Sequence, residues 1–449
     1  MAHDKKVFIC SECGYKALKW LGCCPECNEW STFHEERQST TSQKTRKARA
    51  SSAMLVPLDS VTTTEKKRML SGIDEWDRVV GGGIMPSSLI ILTGDPGIGK
   101  STLLLQLSHN LAKEQIVYYF STEESLQQVK QRARRLNCLQ SNMLFSDQAE
   151  LETIIATALE HKPDIIIIDS IQNCFVNNAN TLPGSIGQLR ESVFHLMRLA
   201  KENEITIILT GHITKDGTIA GPKTLEHMVD AVFYLQGEDR WQSRMLRSVK
   251  NRFGPINELG FFEMRSSGLA EVPNINEQLL SEVHYTPGSV LFSVMEGTRP
   301  LLLELQALVI ETKLAIPQRV ISGIDHKQVM LIAAILEKYL HIKLSKHDIF
   351  IKISGGFKVK GSGIDLAIAL ALLSSFFQLP LPKKSIALGE ISLTGQIKPI
   401  NQITMFVKEA EKFGIERILA ADNQKIDKTA CHVQTFKNVY DLLSLFQEE

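Results

Sequence analysis

The chain has no excess of charge in either direction. Across 449 residues, 50 Lys and Arg stand against 50 Asp and Glu, and the pI is near 7.2. That excludes a global electrostatic pull toward nucleic acid, so any such contact must be local. No run of 18 apolar residues occurs, which argues against a membrane-spanning helix and a membrane partner. Behind Met1-Ala2-His3-Asp4-Lys5-Lys6 there is no apolar signal core, so a cytoplasmic protein is expected. No short internal repeat is present. Cysteine is few and confined: five of the eight fall between positions 10 and 27. In a long cytosolic chain that clustering argues for metal rather than disulfides. The length predicts two or three domains, each able to bury a core.

Cys10-Ser11-Glu12-Cys13 and Cys24-Pro25-Glu26-Cys27 are two CxxC knuckles. Four thiolates at this spacing make a closed tetrahedral zinc site, structural because no position remains for water. Cys23 competes with Cys24 as a ligand, and the CxxC spacing favours Cys24. A ribbon over 1–34 is expected, held by Cys10, Cys13, Cys24 and Cys27. Residues 35–54 read as a basic, flexible linker, since Ser39 to Lys47 is polar and without apolar period. A solvated tether is favoured there over a phosphate contact.

Gly94-Asp95-Pro96-Gly97-Ile98-Gly99-Lys100-Ser101 is a complete Walker A loop. It lies between an apolar run, Leu89 to Leu92, and a helical pattern from Thr102 to Leu107, the context the motif needs. Backbone N–H groups from Gly94 to Thr102 would curl around the phosphates of ATP, helped by the positive end of the helix. Lys100 would reach the β- and γ-phosphates, and Ser101 would bind magnesium.

The region 55–275 alternates near-continuous apolar runs (116–120, 165–168, 206–209) with helical patterns such as 126–136 and 151–159. Buried parallel strands look like that, so an α/β domain with ligands at the strands' carboxyl ends is predicted. Three strand ends carry candidates. Asp169, after four isoleucines, is a Walker B residue that would hold magnesium through water. Glu123, with Glu124 as the alternative, would orient the attacking water. His212, after Thr210-Gly211, would sense the γ-phosphate, on position alone. The loop 213–223 is glycine-rich and carries Lys215 and Lys223, a candidate grip on single-stranded DNA. Lys250-Asn251-Arg252-Phe253-Gly254 reads as a basic turn after a strand. In a ring, Lys250 and Arg252 would reach a neighbour's γ-phosphate in trans; a plain surface turn is equally common. The pattern changes near Val272-Pro273-Asn274, and 285–449 reads as a second, α+β domain with an apolar helix from Ile364 to Leu373.

Together these residues closely resemble the bacterial RadA (Sms) family, RecA-like ATPases of DNA repair and recombination. The likeness spans nearly the whole chain. It rests on the ribbon ending in Cys24-Pro25-Glu26-Cys27-Asn28-Glu29-Trp30, the segment Leu70 to Gly83, and Lys250-Asn251-Arg252-Phe253-Gly254. The resemblance implies a RecA-like core and a homohexameric ring on single-stranded DNA. It also implies ATP-driven branch migration of recombination intermediates, with a RecA-type recombinase as partner. The C-terminal domain is implied to be similar to the proteolytic domain of Lon. There Gly363 falls where the Lon nucleophile stands, and Thr404 falls near the Lon lysine. A Ser–Lys dyad needs both partners, so peptide hydrolysis is not expected; Ser362 with Lys408 is a shifted possibility. The competing readings are an ATP-regulated Lon-like protease and a RecA-like signalling ATPase.

Overall fold

The computed structural model describes residues 6–37, 56–60, 66–176, 185–211, 224–237, 243–256 and 258–447. The chain divides into two compact units, Met1–Gly237 with Arg244–Glu271, and Glu238–Ser243 with Val272–Glu449. Among the described residues no helix is long and apolar enough to cross a membrane.

The N-terminal ribbon is an antiparallel sheet in the order β2-β1-β3, from β1 (Lys6–Cys10), β2 (Lys16–Ala17) and β3 (Phe33–Arg37). Its interior is little more than Phe33 and the cysteines, with Phe8 and Ala17 against them. So small a core needs a cross-link. Strand β3 runs through Arg37, into the stretch read as linker, because its backbone pairs with β1 from Cys10↔Phe33 to Lys6↔Arg37. The rest of the linker, from 38 on, lies outside the described residues.

The ATPase region follows in chain order as α1 (Asp74–Val80), β4 (Leu89–Gly94), α2 (Lys100–Leu111), β5 (Val117–Ser121), α3 (Leu126–Arg135) and β6 (Met143–Ser146). Next come α4 (Leu151–His161), β7 (Ile165–Asp169), α5 (Ile186–Asn203), β8 (Thr206–Gly211), α6 (Thr224–Met228) and β9 (Ala231–Gly237). Then β10 (Ser243–Asn251), β11 (Leu259–Arg265) and β12 (Gly268–Glu271) complete a sheet in the order β12-β11-β10-β9-β4-β8-β7-β5-β6. Strands β9, β4, β8, β7, β5 and β6 run parallel to one another, while β10 runs antiparallel to β9.

Strand alternation sorts the core onto two faces. Ile90, Leu92, Ile165 and Ile167 pack with Trp76, Leu103 and Val129 of α1, α2 and α3. Leu89, Ile91, Ile166 and Ile168 pack with Ile154 and Val193 of α4 and α5. Burial on both faces is why these strands read as unbroken apolar runs.

The second unit begins with α7 (Ile275–Ser281), then a long hairpin of β13 (Ser289–Glu296) and β14 (Arg299–Glu311). It continues with β15 (Arg319–Ser322), α8 (His326–Leu340), β16 (His347–Ile353), α9 (Asp365–Phe377) and β17 (Ser385–Leu388). A short hairpin of β18 (Glu390–Ile391) and β19 (Ile397–Lys398), then α10 (Ile403–Lys412), β20 (Arg417–Ala421) and β21 (His432–Phe436) complete it. Its main sheet has the order β15-β16-β14-β13-β17-β20-β21. Helix α9 is buried from Asp365 to Ser375, which explains why it is apolar all round.

Candidate ATPase site and metal centre

The sheet order puts β7 between β5 and β8, and β4 beyond β8. All four run parallel, so their carboxyl ends share one edge. On that edge stand the Walker A loop after β4, Glu123 after β5, and Asp169 ending β7. The loop's glycines are required by space as well as by backbone angle. A Cβ on Gly94 would lie 2.1 Å from the Leu235 carbonyl oxygen of β9, and Gly97 and Gly99 adopt φ of +76° and +114°. Lys100, Ser101 and Thr102 open α2. The Lys100 ammonium is buried and donates to the Gly94 carbonyl at 2.8 Å and the Asp95 carbonyl at 3.0 Å. Burial pushes it below its usual range, against the pull of Asp169, Glu123 and Asp95.

Both oxygens of Asp169 are held. Thr210 Oγ1, from β8, donates to Oδ1 at 2.7 Å, and the Tyr119 hydroxyl, from β5, donates to Oδ2 at 2.7 Å. Burial first, and then the Asp169 charge, push the Tyr119 hydroxyl well above the ordinary phenol range, so it stays a donor. Ser170 Oγ donates to Glu123 Oε1. Glu124 is instead paired with Arg132 of α3. Between the two acids, Glu123 is the one whose charge reaches Lys100.

The basic motif is arranged differently from its reading as a turn. Strand β10 continues through Asn251, paired with Ala231, so Lys250 lies inside it, just past a register shift. Its ammonium donates to the carbonyls of Glu226 and, at 2.8 Å, Val229, at the carboxyl end of α6. Burial and then Arg252 lower its basicity. Arg252 Nη1 lies 3.4 Å from Oδ1 of Asp230, a buried carboxylate that also takes Lys201 Nζ at 2.6 Å and the Leu89 N–H at 3.0 Å. The following turn is closed by Asn251 Nδ2 on the Val80 carbonyl at 3.0 Å and by Arg68 on the Phe253 carbonyl at 2.5 Å. His212, Lys215 and Lys223 lie outside the described residues.

In the ribbon, the sulfurs of Cys10, Cys13, Cys24 and Cys27 all lie within 4.8 Å of one another. Cys10 and Cys27 are 3.7 Å apart, Cys13 and Cys24 3.4 Å. Tetrahedral zinc with bonds of about 2.3 Å requires sulfurs roughly 3.8 Å apart, so the set fits. Cys23 points away, toward the carbonyl of Asn28 at 3.4 Å. Burial disfavours thiolates here, and it pushes Cys13 and Cys27 up. At Cys10 hydrogen bonding with Thr32 and the backbone outweighs burial and brings the thiol down to about 7.

In the second unit, Ser362 and Gly363 line a cavity of about 300 Å³ with Lys360, Glu390, Asn401 and Gln402. Lys408 is not among its lining residues, and Thr404 donates to Asp427 at 3.1 Å. Sequence reasoning missed Tyr119, Thr210, Ser170 and Asp230. Ser170 directly follows Asp169, whereas Thr210 and Tyr119 lie inside the strands that lead to His212 and Glu123; Asp230 follows no motif.

A doubly wound, mainly parallel sheet, a Walker A loop on a central strand and carboxylates at the ends of β5 and β7 define a P-loop ATPase with a RecA-like core. A four-cysteine ribbon precedes it and a Lon-like α+β domain follows. Family models agree in order along the chain: a rubredoxin metal binding domain at 8–35, an AAA domain at 57–218, and subunit ChlI of Mg-chelatase at 319–424. The chain belongs to the family of the bacterial DNA repair protein RadA. It is 42% identical over 425 residues to DNA repair protein RadA of Bacillus subtilis, covering 93% of each chain. It is 43% identical to that of Streptococcus pyogenes serotype M1, covering 94% of each. Among solved structures, the RadB recombinase aligns with 45% of this chain and 99% of its own, at 20% identity and a TM-score of 0.37, too loose to carry an argument.

Proposed function

We propose that this chain is a DNA-dependent ATPase that moves on single-stranded DNA and promotes branch migration of recombination intermediates with a RecA-type recombinase. The observation that carries the ATPase step is the shared edge of β4, β5 and β7, which brings Lys100, Glu123 and Asp169 to one place. ATP is the substrate cradled by the backbone of Gly94 to Thr102, with Lys100 on its β- and γ-phosphates. Ser101, and Asp169 through water, would hold magnesium, which would supply neutralisation of the phosphate charge. Glu123 orients the attacking water, and Tyr119 and Thr210 keep the Asp169 carboxylate turned toward the loop. Family membership supports the DNA repair role.

The remaining assignments extend that reading. His212 passes the state of the γ-phosphate to the loop 213–223, where Lys215 and Lys223 grip DNA. In a homohexamer, Arg252 and Lys250 act on the neighbour's phosphate. Arg252, 56% exposed, is better placed for this than Lys250, which is engaged with carbonyls of its own chain. The ribbon, 1–34, takes zinc as a structural ion. The domain from 285 serves as scaffold and DNA platform rather than protease, as Gly363 and Thr404 in the dyad positions argue.

The test is ATP turnover with and without single-stranded DNA, in wild type and Lys100→Ala. Strong stimulation that the variant loses is the expected result. Turnover indifferent to DNA at low salt refutes the motor, and normal turnover in Lys100→Ala refutes the phosphate-loop assignment.

A further inference from the structure

The segment after β5 and the segment after β7 are tied together by side chains that no motif predicts. Thr122 Oγ1 accepts from the Ser170 N–H at 2.8 Å and donates to the Ser170 carbonyl at 2.7 Å. One hydroxyl thus uses its donor and one acceptor on the same residue. The Thr122 N–H donates to the Asp169 carbonyl at 2.9 Å, and Asn173 Nδ2 donates to the Thr122 carbonyl at 3.2 Å. This clasp fixes the Ser170 backbone, and the residue is only 1% exposed. From that fixed point its hydroxyl donates to Glu123 Oε1.

We propose that Ser170 is a positioning residue for ATP hydrolysis, holding one oxygen of Glu123 so that the other faces the attacking water. A carboxylate on a flexible side chain samples several rotamers, and only a subset brings it to hydrogen-bonding distance of the water. A charge-assisted hydrogen bond from a buried, immobile hydroxyl narrows that freedom. The inference rests on the reading of Glu123 as the water-orienting acid. Ser170 acts through Glu123, so its effect exists only where that carboxylate exists.

A double-mutant cycle on the full-length chain tests this, with steady-state ATP turnover on single-stranded DNA and binding of a fluorescent ATP analogue as readouts. Ser170→Ala should lower kcat about tenfold, the size of one such hydrogen bond, with analogue affinity within about twofold of wild type. Ser170→Thr keeps the hydroxyl and should restore most of the rate. In a Glu123→Gln background, Ser170→Ala should change the residual rate by less than about twofold, because groups acting as a unit are not additive. Should the alanine variant fail to fold, Ser170→Cys, close in size and a weak donor, carries the same expectation. Wild-type kcat in Ser170→Ala overturns the proposal, and so does an equal fold-loss with and without Glu123. A Glu123→Gln enzyme of normal turnover sinks the underlying reading instead, whereas an impaired one beside a normal Ser170→Ala sinks this inference alone.

Discussion

Replacing Asp230 with alanine removes one buried carboxylate that three elements share. The side chain is 6% exposed and accepts from the Leu89 N–H at 3.0 Å, Lys201 at 2.6 Å and Arg252 at 3.4 Å. The three losses are unequal. Leu89 is fully buried at the start of β4, so its orphaned N–H costs about 1–3 kcal/mol. Lys201 and Arg252 are 46% and 56% exposed and rehydrate when the partner is gone, so each bridge is worth only about 0.2–1 kcal/mol. The sum is about 3 kcal/mol, most of it from the backbone donor. With a urea slope of about 3 kcal/mol per molar, the midpoint of the ATPase unit should fall by about 1 M. The fluorescence of Trp76, buried beside Phe233 at 5.6 Å between ring centroids, reports that unit. Asp230→Asn keeps an acceptor for Leu89 and should lose only about 1 kcal/mol. Equal losses in the two variants refute the ranking, because they make charge rather than the Leu89 hydrogen bond dominant. A loss below about 0.5 kcal/mol in Asp230→Ala refutes the anchoring itself.

Two further outcomes are expected. Tyr119→Phe removes a donor to Asp169 without changing shape; it should cost about 2 kcal/mol, a fall in Tm of about 6 °C, and lower turnover more than nucleotide affinity. An unchanged melting curve counts against the buried hydrogen bond. Cys24→Ala should take bound zinc from about one equivalent to none by metal analysis and open the remaining ribbon thiols to a thiol reagent. Full retention shows that Cys23 supplies the fourth ligand.

What the sequence revealed followed from the range of the interactions involved. Ile165 to Ile168 followed by Asp169 is legible because double-sided burial leaves a contiguous apolar run and the chemistry sits at its end. The knuckles are legible because metal geometry fixes ligand spacing within a few residues. Helix α9 is legible because burial on every side strips it of polar residues. The setting of Lys250 was not: its partners, the carbonyls of Glu226 and Val229, are brought to it by strand pairing of β9 with β10. Nor was the length of β3, whose Glu35, Glu36 and Arg37 carry no apolar alternation in the sequence and pair with Phe8, Val7 and Lys6 of β1 through the backbone. Ser170 was passed over because a lone serine after a strand has no pattern; only the hydroxyl's direction distinguishes it. Asp230 shows the same limit, since its three partners come from separate parts of the chain.

The glycine run after α1 meets the end of the basic motif with no atom to spare. A Cβ on Gly81 would stand 3.0 Å from the Gly254 Cα, and one on Gly254 would stand 2.9 Å from the Gly81 Cα. The obstacle in each case is main chain, which has no rotamer to yield. Enlarging one position cannot be answered by shrinking the other, because both are already the smallest residue. The two turns therefore set each other's limits: a side chain at either glycine is admitted only if the main chain of the other moves away.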